Sequence, residues 1–371
     1  MRRSLFLLFM GLCGLCVSAQ SIDSLYINKE IKRIGQDSLY RKDTGEGSLW
    51  KSVSEPFKRV DRVFNGIDTL YISPNAYNLT LMLEHSTWYQ RYAIGHAGSD
   101  AWQSIKFSPT TNMKIGLYGG WRWLFFGYSI DIAKILRTND EYKSRNEFQL
   151  NLYTSKVGLD FFYRKVKRGF KIRSYKNFQI PQETYLNTNF DGMSTHSFGV
   201  GAYWVFNHRQ FSYPAAYSQS TNQRKSAGSW ILGAYFSQHS IDFDYTQLPP
   251  PLLKNLQNEL KIGHIGYTDY TVSFGYTYNW VFAKNCLFNI SVTPALGYKT
   301  STSKSALKDD KRRSSLNADL IVRSGLVWNN KKYYIGASVV METYEYKKPK
   351  FSLTNSYGAL RVYVGFNFWK R

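Results

Sequence analysis

Residues 271–282 read Thr271-Val272-Ser273-Phe274-Gly275-Tyr276-Thr277-Tyr278-Asn279-Trp280-Val281-Phe282. Val272, Phe274, Tyr276, Tyr278, Trp280 and Phe282 fall on one face of an extended chain. Thr271, Ser273, Gly275, Thr277 and Asn279 fall on the other. A period of two over this many residues belongs to a strand, because successive side chains of a strand point to opposite sides. The next segment repeats the pattern, with Phe288, Ile290, Val292, Pro294, Leu296 and Tyr298 against Asn289, Ser291, Thr293, Ala295, Gly297 and Lys299. Pro294 cannot donate to a ladder and is expected at a bulge. Leu316, Ala318, Leu320, Val322, Leu326 and Trp328 then alternate with Asn317, Asp319 and Arg323, and Leu360, Val362, Val364, Phe366 and Phe368 with Arg361, Tyr363, Gly365 and Asn367.

Noisier runs of the same kind occupy 77–86, 112–120, 123–132, 145–154, 156–165, 195–207, 228–239 and 331–343, which brings the count to about twelve strands. A β-sandwich keeps an aliphatic face inside and a polar face out. Here one face is aromatic and the other carries Lys, Arg, Asp, Asn, Ser and Gly, as expected where the outer face meets lipid and the inner face a wet lumen. The gaps support this. They are short near Trp121, at Ser155, at Ala283-Lys284-Asn285 and at Asn329-Asn330, and longer and polar at the opposite ends of the strands. Short turns on one rim and long loops on the other is the outer-membrane arrangement. The connection 208–227 breaks the rule, being long where a short turn is due. The expected fold is all-β, a transmembrane antiparallel up-and-down barrel over 71–371, preceded by a short periplasmic segment.

Before the barrel, Arg2 and Arg3 precede an apolar run from Leu5 to Val17, and Val17-Ser18-Ala19 supplies the small residues of a cleavage site before Gln20. Residues 1–19 read as a signal peptide. Residues 20–70 are polar and Lys-rich, with one helix expected where Ser54-Glu55-Pro56 can cap Phe57, Val60 and Phe64. Cleavage leaves Cys286 as the single cysteine, which excludes a disulfide framework and a multi-cysteine metal site. No cofactor is expected. The net charge is +22 and aromatics make up 17% of the chain. Without basic helices, this points to anionic lipid or glycan, not to nucleic acid. Further apolar runs near the ~20 residues of a spanning helix are missing, which leaves strands as the only means of crossing a bilayer.

Asp68-Thr69-Leu70-Tyr71-Ile72-Ser73-Pro74-Asn75-Ala76-Tyr77-Asn78-Leu79-Thr80-Leu81-Met82 resembles the entry segment of an uncharacterised Bacteroidota family catalogued only as a domain of unknown function. The resemblance extends over roughly residues 60–371. It implies an outer-membrane-type β-barrel and no established activity.

Three sets of residues are candidates for function. Ser194 and His196 are two apart and share a strand face, as a lipid hydrolase or acyltransferase would need for a base-activated serine. The six histidines show no metal-binding spacing. Lys165, Lys167, Arg168, Lys171 and Arg173, and separately Lys311, Arg312 and Arg313, fall in gaps of the outer rim, where they could contact lipopolysaccharide phosphates or anionic glycans. The alternation turns Lys114, Arg122, Asp131, Lys156, Asp160, Arg164, Asp319, Arg323, Glu342 and Arg361 toward the lumen, an excess of two positive charges. The reading that follows is a non-enzymatic envelope component or narrow porin-like channel in the outer membrane of a Gram-negative bacterium, inserted by the barrel-assembly machinery. The alternatives are the lipid enzyme and a soluble exported β-sandwich.

Overall fold

The structure is a computed structural model and describes residues 66–96, 102–110, 112–121, 124–132, 145–181, 184–305, 313–348 and 351–370. The expected signal peptide and the helix at 54–64 lie outside the described residues.

The strands are β1 (Ile72–Pro74), β2 (Tyr77–His96), β3 (Gln103–Pro109), β4 (Asn112–Trp121), β5 (Leu124–Asp131), β6 (Arg145–Tyr153), β7 (Val157–Val166), β8 (Phe170–Lys176), β9 (Asn189–Phe190), β10 (Met193–Val205), β11 (Thr221–Gln223), β12 (Ala227–Phe243), β13 (Ile262–Ala283), β14 (Cys286–Ser305), β15 (Arg313–Asn329), β16 (Tyr333–Lys348) and β17 (Phe351–Lys370). Two short helices, α1 (Pro214–Tyr217) and α2 (Pro250–Lys254), lie in connections. Every paired strand is antiparallel to its neighbour. The wall runs β6-β7-β10-β12-β13-β14-β15-β16-β17-β2, and β2 continues through β4 to β5. β17 pairs with β2, the first wall strand, from Ser352 opposite Gly95 to Lys370 opposite Tyr77, so the meander curls back on itself. Among the described residues, β5 and β6 are the one neighbouring pair of wall strands without a ladder.

Hydrophobic alternation decides which face is which. Phe274 is 51% exposed and Val292 42%, while Ser273, Thr277 and Ser291 are at most 1% exposed. The apolar face points outward and the polar face inward, as the sequence predicts. The outward band of β13 runs from Tyr270 to Phe282. Its twelve steps of about 3.3 Å, tilted by about 45°, rise about 28 Å, close to the hydrocarbon thickness of a bilayer. Aromatics mark both edges, with Tyr270 and Tyr298 at one and Trp280, Phe282, Trp328 and Phe368 at the other.

Four features go beyond the expected meander. β2, β13, β14 and β17 are 20 to 22 residues long and overshoot the band on the far rim. There β2 exchanges partners. Leu79 to Trp88 pairs with β4, and Tyr92 to His96 with β3, which carries β8 and β9 as a side branch. At Pro294 no bulge forms. The β13–β14 ladder skips Phe274–Gly275 opposite Thr293–Pro294 and resumes in the same register. The connection 206–226 is not a turn but folds inward, with Ala215 and Ala216 almost fully buried.

Gly275 faces this interruption, and a Cβ there would sit 2.2 Å from the Val292 carbonyl oxygen. Replacing Gly275 by Ala should cost about 1–3 kcal/mol in denaturant unfolding. Gly119→Ala, where nothing lies within 4 Å of the added carbon, should be nearly neutral.

Candidate functional site

A wall of this size encloses more space than its own inward side chains fill. Three layers of different chemistry occupy that space.

The first layer closes the rim that carries the turns 154–156, 284–285 and 330–332. Its frame is three inward amides, Asn279 and Asn289 opposite each other on β13 and β14, and Asn329 on β15, four residues beyond the partner of Asn289. Asn279 Nδ2 donates to the Ser212 carbonyl at 2.8 Å and to Gln223 Oε1 at 3.0 Å. Tyr217 donates its hydroxyl to Asn289 Oδ1 at 2.6 Å, and Asn289 Nδ2 donates to Asn279 Oδ1 at 2.7 Å. Gln219 bridges Tyr363 OH and Asn329 Nδ2, each at 3.0 Å. The helix α1 thus sits inside the barrel as a plug, with Tyr213 and Tyr217 packed ring to ring at 4.9 Å. A second strap holds it: β1 pairs with β11, the Asp68 amide donates to the Arg209 carbonyl, and the Arg224 amide to the Tyr71 carbonyl.

The middle layer is ionic. Arg323 Nη2 meets Asp160 Oδ2 at 2.7 Å, and Lys114 Nζ meets Glu147 Oε2 at 2.6 Å. Arg164 Nε lies 3.7 Å from the other oxygen of Glu147, and its guanidinium stacks 3.5 Å from the Tyr357 ring centroid. Lys299, fully buried, is held by Asp319 at 2.8 Å and by Asp269 at 3.4 Å. The third layer, at the far rim, is apolar. Phe107, Phe170, Phe190, Phe243, Leu252 and Leu260 come from the long connections and their flanking strands, and join Tyr92, Ile241, Tyr267 and Tyr357 of the wall in one buried cluster. Gln103 ties the segment after α2 down, donating to the Asn255 carbonyl at 2.8 Å and accepting from the Gln257 amide at 3.0 Å.

The residues singled out in the sequence divide as follows. Lys114, Asp160, Arg164, Asp319, Arg323, Glu342 and Arg361 point into the lumen. Lys156 does not. It sits in a rim turn with its Nζ 4.7 Å from the ring centroid of outward Trp204, because it lies one residue before the start of β7, where the alternation no longer holds. Arg122 and the Asp131 side chain lie outside the described residues. Glu84, Glu147, Asp269 and Lys299, missing from the sequence tally, are also inward. With them the described lumen holds five cations and six carboxylates, so the expected positive excess is absent there.

Ser194 and His196 do share a face, but it is the outward one. Ser194 donates to Asp242 Oδ2 at 3.0 Å, and His196 meets Tyr163 edge-on at 5.1 Å. Among the described residues no hydrogen bond joins the two, so His196 is not placed to take the proton of Ser194. Inside the wall, His239 contacts Ser197 at 3.1 Å and Ser237 at 3.0 Å and stacks on Tyr267, a packed core histidine with no carboxylate orienting it. Of the basic set, Lys165, Lys171 and Arg173 lie on the outward faces of β7 and β8, with Lys167 and Arg168 exposed in the turn between them. Arg173 donates to Asn187. Lys311, Arg312 and the Arg313 side chain are outside the described residues.

Removing one partner of the buried Arg323–Asp160 pair leaves the other charge uncompensated. Arg323→Met should cost about 3–5 kcal/mol in unfolding free energy, and the double variant with Asp160→Leu should recover most of it. A double variant as unstable as the single would contradict the pairing.

Among solved structures, the chain is similar to the outer membrane protease OmpT of Escherichia coli, at 7% identity and a TM-score of 0.37, over 80% of this chain and 98% of that one. It is also similar to the translocator domain of the autotransporter NalP of Neisseria meningitidis, at 8% and 0.26, over 86% and 97%. A third is the β domain of the Bordetella autotransporter Brka, at 9% and 0.30, over 76% and 99%. Scores this low say nothing about activity. No curated protein matches the sequence. Residues 66–368 match the domain of unknown function DUF4421, and the chain belongs to that family.

Proposed function

We propose that this chain is a non-enzymatic outer-membrane barrel of a Gram-negative envelope that is sealed to solutes, with a basic outer surface facing anionic glycan or lipopolysaccharide. One observation carries the reading: the connection 206–226 fills the rim where the sequence calls for a short turn, and does so with donors and acceptors matched to inward Asn279, Asn289 and Asn329. A channel needs a hydrated path, and its lining groups would bond to water instead of to each other. Here the near rim is closed by paired amides, the middle by ion pairs and the far rim by packed aromatics. The envelope role follows from the outward band, since aromatic and aliphatic side chains exposed at this density on a water-facing protein would drive association.

The basic residues Lys165, Lys167, Arg168, Lys171 and Arg173 support the glycan contact by position. They gather around the turn from β7 to β8, on the rim opposite the turns at 284–285 and 330–332. Arginine forks and lysine points at this density suit phosphate and sulfate groups.

Two measurements test the reading. Across a planar bilayer the protein should show no steady open conductance, and replacing residues 210–222 with a short Gly-Ser turn should produce one. A large steady conductance of the unaltered chain would contradict the seal. Val292→Arg, on the outward face near mid-band, should cost about 2–4 kcal/mol in lipid vesicles. A neutral effect would contradict lipid contact at that face.

A further inference from the structure

The seal uses the inner face of the wall. On the outer face the ladder register lays side chains out in rows that run across the strands. His196, Ser240 and Gly266 stand opposite one another on β10, β12 and β13. Gln238, Thr268 and Thr300 do the same on β12, β13 and β14. These six positions alternate with buried neighbours and face outward. On the side toward the apolar band the wall is aromatic. Phe161, Phe198, Phe236 and Tyr270 follow one another with ring centroids 5.4, 6.4 and 5.3 Å apart. On the other side stand Ser194, Asp242 and His264, opposite one another in the ladder. They are committed to each other, since Ser194 donates to Asp242 Oδ2 at 3.0 Å and Asp242 Oδ1 lies 2.6 Å from His264 Nδ1. Small residues between two bulkier rows leave a trough, and its volume is about 360 Å³.

We propose that this trough holds the sugar ring of a glycolipid headgroup in the outer leaflet. The inference deepens the glycan contact proposed above and rests on that reading of the outward band as lipid-facing. Three observations select the occupant. The trough lies one step beyond Tyr270 and Tyr298, the aromatic edge of the band, which is the level of lipid headgroups. Its polar lining is hydroxyl, amide and imidazole, and among the described residues no carboxylate, lysine or arginine lines it. Neutral groups that both donate and accept match ring hydroxyls, whereas a bare phosphate calls for charge-assisted partners. Among the described residues Gln238, Ser240, Thr268 and Thr300 make no side-chain hydrogen bond, in contrast to the committed row beside them. Tyr270 is 53% exposed and offers an apolar ring face with a polar tip, as a sugar ring does. From β10 to β14 the trough crosses three strand spacings of about 4.8 Å, roughly 14 Å, which accommodates more than one ring. Acyl chains attached to the sugar would continue down over Tyr270, Val272 and Phe274.

Native mass spectrometry of the full chain in detergent micelles counts bound lipid. The probes are glucosamine 1-phosphate carrying two acyl chains, phosphatidic acid with the same chains, and free glucosamine 1-phosphate. The acylated sugar should saturate at one per chain. Phosphatidic acid should need about tenfold more or worse, because it leaves the polar lining unmatched. The free sugar phosphate, lacking chains, should bind more weakly still. Thr268→Trp fills the trough and should raise the half-saturating concentration of the acylated sugar about tenfold or more. Leu326→Trp, equally bulky on the outward face of β15, should leave it unchanged. Retained heat-dependent gel mobility checks that each variant folds. Equal binding of the two lipids, or a Thr268→Trp chain that binds as the native does, would overturn the proposal. If Thr268→Trp binds normally while the double variant Lys167→Gln with Arg168→Gln does not, the glycolipid sits on the basic turn and only the trough is lost. Flotation with vesicles keeps the membrane reading separate. A chain that floats without preferring the sugar removes the trough alone, and a chain that does not float removes both.

Discussion

The constraint behind this structure is that a wall exposed to lipid must keep its polar groups on one side. Backbone N–H and C=O groups are satisfied by the antiparallel ladders, from β6 around to β5. Polar side chains are then confined to the inner face, at every second residue. An interior lined this way either stays wet or supplies its own partners, because an unpaired polar group away from water costs free energy that a marginally stable chain lacks. This barrel supplies partners, and its chemistry changes with depth because the groups offered by the wall change with depth. Where the wall presents amides, the filling segment presents amides and tyrosines. Where it presents charges, charges from opposite strands meet. Where the strands overshoot the apolar band, the inward residues turn apolar and the long connections close over them.

This division accounts for the unequal connections. Short turns at 154–156, 284–285 and 330–332 do no more than reverse the chain, and positive φ at Asn285 and Lys331 marks two tight reversals. The connection 206–226 lies on the same rim but enters the barrel. It is also strapped to the segment preceding the first wall strand, through the pairing of β1 with β11. Opening the near rim would therefore require breaking that small sheet as well as the amide contacts.

The wall was legible in the sequence because its signal is a contrast between two faces that repeats for ten or more residues. Phe274 against Ser273 is such a contrast, and it fixes both strand and orientation. β3 carried no such signal. Nearly all of its residues are buried, on both faces, so Gln103-Ser104-Ile105-Lys106-Phe107 shows little alternation. The plug was visible only as an exception to the turn rule, since α1 is four residues long and its stability comes from the wall around it. The inward asparagines were the available clue. Asn279 and Asn289 face each other on β13 and β14, with Asn329 nearer the rim on β15, where a hydrated lumen has no need of matched amides. Parity failed at Lys156 because it holds only within a strand. The Ser194–His196 spacing gave the shared face correctly but not which face, and β10 turns that face outward.

The central claim, an apolar outer band in contact with lipid around a filled interior, is tested most directly by spin-label accessibility along β13. Nitroxides placed singly at Tyr270, Val272, Phe274, Tyr276, Tyr278, Trp280 and Phe282 in bilayers report collisions with oxygen and with a water-soluble nickel chelate. The account predicts oxygen contact highest and nickel contact lowest near Phe274 and Tyr276, with the ratio reversing toward both ends. Uniformly high nickel contact along the series would place this face in water and contradict it.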